Sequence, residues 1–108
     1  MPHIIEYRWD EPVELGAVRM ISGRFNGARV LDPVRDLRIE HHDGEGWQEV
    51  LPAVTGNENP VWAATFGTVE TQRLRVVITK APHNISRLWE IEFYEPVEDS
   101  QAPGGAKD

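Results

Sequence analysis

The sequence predicts an all-β protein, an antiparallel β-sandwich of jelly-roll character. Apolar and polar residues alternate with a period of two in short segments, which is the pattern of half-buried strands. Turn-forming residues separate these segments at the spacing typical of a sandwich, which gives about seven strands. No segment carries a sustained helical period, so we expect no long helix.

The first two segments show both the alternation and one interruption of it. The segment 3–10 places Ile5, Tyr7 and Trp9 on one face. In the segment 12–22 the apolar face shifts register around Gly16, and a β-bulge at this glycine would account for the shift. We expect a short link at 10–12 between the two strands.

The later segments continue the same pattern as far as residue 95. An Asp-Gly-Glu-Gly sequence at 43–46 predicts a tight hairpin. In the last segment Trp89 has the same phase as Ile91 and Phe93, so we predict that Trp89 is buried. The predicted strands are 35–42, 47–51, 61–67, 73–80 and 87–95.

Length and composition set the limits on function. The 108 residues, 40% of them hydrophobic, make one folded domain, which we assign to 1–96, with a disordered tail at 97–108. A net charge of −7 argues against a nucleic-acid partner, because phosphate binding needs clustered Lys and Arg. The chain has no cysteine, and no apolar run approaches the roughly 20 residues of a membrane span, so we predict no membrane insertion.

The lengths of the connections predict where a ligand would bind. The links at 23–34, 52–60 and 81–86 are longer than those at 10–12, 43–46 and 68–72. If successive strands run antiparallel, the three longer links are the second, fourth and sixth, and they share one end of the sandwich.

Residues on these loops have the side chains that bind sugars: planar polar groups that match pairs of hydroxyls, and aromatic faces that pack on ring C–H groups. The alternative is that loops are polar in any case and that Trp62 belongs to the core. We expect Arg24, Asn26, Asn57, His83 and Asn84 to meet at this end and to be mostly exposed. The candidate ligand-binding residues are Arg24, Phe25, Asn26, Arg29, Asn57, Asn59, Trp62, His83 and Asn84.

Other combinations of polar residues favour no chemistry. His41 and His42 are adjacent in a strand and point to opposite faces, so they cannot chelate a metal together. Glu90 and Glu92 share one face, but a glycosidase needs one of its two acids desolvated in a cleft. Neither a nucleophile elbow nor a glycine-rich phosphate loop is present, so we predict no enzymatic activity.

Three segments carry a family resemblance. The sequence RLRVVITKAPHNISRLWEIEFYE (73–95) resembles the closing strands of discoidin-type, coagulation-factor C-domain-like β-sandwiches, the galactose-binding-like superfamily related to carbohydrate-binding modules. RDLRIEHHDGEGWQEV (35–50) is similar to the family's strand, Asp-Gly turn and Trp-X-Glu-Val strand, and PVELGAVRM (12–20) to its opening. The family's usual N-terminal stretch, with its calcium loop and Arg-Trp pair, has no counterpart here.

The resemblance implies a non-catalytic carbohydrate-binding module, accessory to a larger enzyme or surface protein that is secreted or displayed on the cell. In the family a Glu of the last strand often helps to hold calcium, which by position would be Glu90; otherwise we expect no cofactor. The alternative function is a structural or protein-interaction domain that packs on a partner domain or forms a homo-oligomer, since exposed strand edges invite pairing.

Overall fold

The computed structural model describes residues 2–27 and 29–96, so the tail predicted at 97–108 lies outside the described residues. These residues form seven strands and one 3₁₀ turn, and the strands pair antiparallel throughout. The elements are β1 (His3–Ser22), β2 (Arg24–Asn26), β3 (Arg29–Leu31), β4 (Asp36–His42), β5 (Trp47–Glu49), β6 (Val61–Lys80), the 3₁₀ turn (Pro82–Asn84) and β7 (Leu88–Tyr94).

The main sheet has the order β5-β4-β6-β1-β7, and β2 pairs with β3 in a separate small hairpin. That hairpin lies within the link predicted at 23–34. The described part of the chain contains no helix long and apolar enough to cross a membrane.

Two strands of 20 residues each, β1 and β6, pair with each other in the middle of the main sheet. Their ladder runs from His3 opposite Ile78 to Ile21 opposite Val61, with register shifts between Arg8 and Val13 and on either side of Gly16. The second shift confirms the predicted bulge. A Cβ on Gly16 would lie 2.8 Å from Cα of Pro96, so a larger residue there would displace the backbone.

The long strands bend over on themselves to form the two layers of the sandwich. The ring of Tyr7 lies 5.4 Å, centroid to centroid, from that of Phe93, and Phe93 pairs with Val18. A straight strand would separate Tyr7 from Val18 by about 36 Å, so β1 must turn back on itself between them. One layer holds β5, β4, the second half of β6 and the first half of β1; the other holds β7 and the remaining halves.

The bends correct two of the predicted links. The segments 10–12 and 68–72 are not loops between separate strands but lie inside β1 and β6. A bulge lets a strand turn from one layer into the next while most of its ladder remains paired, so the sequence shows an interruption although the strand continues. Each bend still reverses the direction of the chain, as the predicted link would have done.

The core lies between the two layers and is built from the inward faces of both. The alternation predicted for 3–10 is confirmed, since Ile5, Tyr7 and Trp9 pack against the core. The buried apolar side chains that form one core cluster are Leu15, Val18, Met20, Val34, Leu37, Ile39, Leu74, Val76, Ile78 and Ala81.

The prediction that Trp89 is buried is wrong. Glu90 pairs with Ile21, but Leu88 pairs with Ser22, so Trp89 is an additional residue in β7 with no partner of its own. This irregularity reverses the phase of the strand. Leu88 packs against the core, and Trp89 is 55% exposed.

Candidate functional site

The three long connections meet at one end of the sandwich. The amide of Gly23 donates to the carbonyl of Arg87 (2.7 Å), and the amide of Ser22 donates to the carbonyl of Pro60 (2.8 Å). His3 at the start of β1 hydrogen-bonds the hydroxyl of Ser86. These contacts join the start of 23–34, the end of 52–60 and the end of 81–86. We call the surface formed there by residues 23–25, 31–32, 83–84, 87 and 89 the rim.

Asp32 is the centre of charge in the rim. Its carboxylate lies 2.6 Å from Nε of Arg24 and 3.9 Å from Nη1 of Arg87, and the charge of His83 also acts on it. The hydrogen bond from Arg24 is the main reason that the pKa of Asp32 lies below its usual value, although desolvation opposes the change. Arg24 and His83, which come from different loops, are therefore neighbours of one carboxylate.

The ion pair between Arg24 and Asp32 leaves other hydrogen-bond donors of the rim arginines without a partner in the part of the chain that the structure describes. Asp32 engages Arg24 through Nε, so the two terminal nitrogens of this 45% exposed guanidinium remain free of it. Nη1 of Arg87 is buried and has no hydrogen-bond partner among the described residues. The arrangement fixes Arg24 in one orientation and presents its remaining donors to solvent.

The backbone of the rim is strained at three residues. Asp32, His83 and Asn84 have φ near +60° without being glycine, and they are the non-glycine residues with positive φ in the described chain. Asp, Asn and His tolerate this region better than other residues, but it still costs free energy, and such residues are concentrated at functional sites. The strain makes the rim a candidate site independently of its side chains.

An exposed aromatic pair completes the rim. The rings of Phe25 and Trp89 meet edge to face with centroids 4.9 Å apart, and the two residues are 62% and 55% exposed. Nε1 of Trp89 donates to the carbonyl of Gly23 at 2.6 Å, which satisfies its polar atom and fixes the plane of the indole. Sequence analysis missed Trp89 because the irregularity in β7 is not visible in the alternation.

Several candidate residues lie apart from the aromatic pair or have another role. Asn57 is buried, so the expectation that it is exposed is wrong: its amide donates to the carbonyls of Val34 and Asn59 and holds the loop together. Trp62 is half-buried against the core. Arg29 and Asn59 are exposed, and Asn26 pairs with Arg29 across the β2–β3 hairpin.

Glu90 lies on the exposed face of β7 beside Glu92. A hydrogen bond with Glu92 raises the pKa of Glu90, and a hydrogen bond from Tyr94 lowers that of Glu92. Among the described residues, no group of three or more His, Asp or Glu side chains is arranged to hold a metal ion. The calcium role of Glu90 stays a prediction.

The architecture defines the class of fold: an antiparallel two-layer β-sandwich, with an aromatic and arginine-containing rim formed by its loops. Among solved structures, the chain is similar to the family 32 carbohydrate-binding module from Streptococcus pneumoniae EndoD, with a TM-score of 0.70. The two are 21% identical, and the match covers 85% of this chain and 68% of that one. No protein-family model and no curated protein matches the sequence.

Proposed function

We propose that this domain binds carbohydrate without catalysis, and that the sugar lies on the rim with its apolar face on Phe25 and Trp89. The observation that carries the proposal is the exposed aromatic pair, fixed by the hydrogen bond from Trp89 to Gly23. An aromatic ring offers a large apolar face, and a ring that is already fixed loses little entropy when a ligand packs on it.

The polar groups of the rim supply the hydrogen bonds that a sugar needs. Arg24 offers donors, Asp32 offers an ionised acceptor, and the exposed His83 and Asn84 add groups that can donate or accept. A sugar fits this set because its hydroxyl groups can accept from Arg24 and donate to Asp32. The similarity of the fold to a carbohydrate-binding module supports the same proposal.

The paired carboxylates of β7 favour binding over hydrolysis. Glycosidases separate their two carboxyl groups by about 5–10 Å and desolvate one of them. Glu90 and Glu92 share a hydrogen bond on the exposed face of the sheet, so they meet neither condition.

We propose that the domain acts as an accessory module of a larger secreted or surface protein.

A glycan array followed by affinity electrophoresis in polysaccharide gels tests the proposal. We expect retention on at least one neutral glycan, and we expect Trp89→Ala to abolish it. Trp47→Ala is the matched control, because Trp47 lies on the outer face of the other layer, against Arg73 and Arg75. Failure of the wild-type chain to bind any glycan, or retention by Trp89→Ala equal to wild type, would contradict the proposal.

A further inference from the structure

The sandwich has a free strand edge that differs from its other edges. β4 pairs with β6 only from Leu74 to Lys80, so no described strand lies on the outer side of residues 61–69. Val61 is 53% exposed, and Ala63 and Thr65 are exposed on the outer face of this layer. We call residues 61–69 the β6 edge.

The β6 edge carries no charge, although 27% of the residues in the chain are charged. The other free edges are all protected by charged side chains. β7 carries Glu90 and Glu92, β5 ends at Glu49, and the first half of β1 includes Glu6 and Arg8. Charges on an edge strand discourage pairing with another chain, so their absence from one edge marks it as the surface where pairing is permitted.

The composition of the β6 edge also favours pairing. The sequence VWAATFGTV contains β-branched and aromatic residues, a single glycine and no proline. A shallow surface lined by Ala17, Arg19, Ala63, Thr65 and Tyr94 adjoins it on the outer face. On the β6 edge itself, the small side chains of Ala63 and Thr65 would not obstruct a neighbouring strand.

We propose that the β6 edge pairs antiparallel with the β6 edge of a second copy of this chain, which joins the two three-stranded layers into one six-stranded sheet. A two-fold interface brings a patch against itself, so the patch must be self-complementary. An uncharged strand meets this condition, whereas self-pairing of β7 would bring Glu90 and Glu92 close to their own copies.

The net charge of −7 opposes association in general and bears on where two copies can meet. Two copies repel each other at long range, and that repulsion opposes contact least where the surface carries no charge. The β6 edge has no charge with which to recognise a charged peptide. A contact of one nine-residue edge per copy is short, so we expect weak association, with a dissociation constant of about 10–100 µM.

Sedimentation equilibrium over about 5–500 µM protein tests the dimer, because this range brackets the expected constant. We expect Thr65→Lys to weaken association at least about tenfold, since it places a charge on the edge of each copy. Thr79→Lys is the matched control: it is the same substitution at an exposed position of the same strand, between residues that pair with β4. It should dimerise as wild type does.

A second variant tests whether association uses the β6 edge or the rim. The test is needed because the aromatic pair of the rim is another exposed apolar surface. Trp89→Ala should remain dimeric, and hydrogen exchange at the amides of 61–69 should slow as the protein concentration rises. A monomeric wild type at 500 µM, or unchanged dimerisation of Thr65→Lys, would overturn the proposal. So would loss of the dimer in Trp89→Ala. Sugar binding is measured separately and bears only on the proposed function.

Discussion

Trp47 and Trp89 are both incompletely buried tryptophans on strands of the same sandwich, and their surroundings are opposite. Trp47 has the guanidinium carbons of Arg75 and Arg73 at 4.1 and 5.0 Å from its ring centroid, with His42 edge-on at 5.2 Å. Trp89 has no cation over its ring among the described residues, and its one polar atom is hydrogen-bonded to Gly23.

The ion pairs near the two rings explain why, in the described part of the chain, cations cover Trp47 but not Trp89. Arg75 and Arg73 are held over Trp47 by Glu40 at 2.7 Å and Glu6 at 3.1 Å, so an ion-pair network occupies the face that a ligand would need. At the rim, Asp32 holds Arg24, and the described contacts include no cation over the ring of Phe25 or Trp89. Exposure alone therefore does not identify a binding aromatic residue; an unoccupied ring face beside fixed polar groups does.

The largest expected difference between the two regions is in glycan binding. Trp89→Ala should weaken binding by about 2 kcal/mol or more, roughly thirtyfold, as removal of a central aromatic contact does. Its melting temperature should stay within a few degrees of wild type, because the side chain is 55% exposed. Isothermal titration and thermal unfolding of the same preparation measure both quantities. A large loss of stability with unchanged affinity would reverse the assignment of Trp89.

Removal of Trp47 should give the converse result. Trp47→Ala should lower the free energy of unfolding by about 1–2 kcal/mol, because each cation–π contact is worth about 0.5–1 kcal/mol at an exposed site. Glycan affinity should not change. Urea unfolding gives the stability, and titration gives the affinity. If Trp47→Ala loses affinity as Trp89→Ala does, the comparison between the two regions fails.

A smaller effect on binding is expected at the arginine of the rim. Arg24→Ala should reduce glycan affinity by about 1–2 kcal/mol, about five- to thirtyfold, because sugar hydroxyls lose their donors. Stability should hardly change, since exposed ion pairs contribute little. Arg8→Ala is the matched control, because Arg8 is an exposed arginine in the first half of β1 whose Nε is likewise held by a carboxylate, that of Glu6 at 2.8 Å, and it should bind nearly as wild type. Equal losses in the two variants would indicate a general electrostatic effect.

The smallest expected effect is the dependence of glycan binding on pH. The pKa of Asp32 is lowered in the folded protein, chiefly by the hydrogen bond from Arg24, so its ionised form persists below its ordinary value of about 3.9. The stabilisation that ionised Asp32 gives the rim is complete above that pH, and it is lost as the pH falls through the lower pKa of the folded protein. Binding should therefore change little on account of Asp32 from pH 8 to about pH 5, and Asp32→Asn should remove any loss below about pH 4. A loss at low pH that persists in Asp32→Asn would assign it to another group.

The fold and the candidate site were only partly predictable from the sequence. The alternation predicted that Ile5, Tyr7 and Trp9 face inward, and the interruption at Gly16 predicted a bulge; both predictions are confirmed. The same reasoning failed at Trp89, because one additional residue in β7 reverses the phase. It also failed at Asn57, where polarity suggested exposure, but the amide is buried in hydrogen bonds to loop carbonyls.

The sequence by itself determined the all-β class, the inward face of the first strand and the hairpin at Asp43–Gly46, because period-two alternation and turn chemistry act over a few residues. Only the tertiary structure decided which interruptions are loops and which are bends inside continuous strands, since that depends on partners far away in the chain. Residues far apart in the sequence, Asp32 with Arg87 and Phe25 with Trp89, became neighbours for the same reason. Folding the long strands into two layers positions them, and no local pattern records that contact.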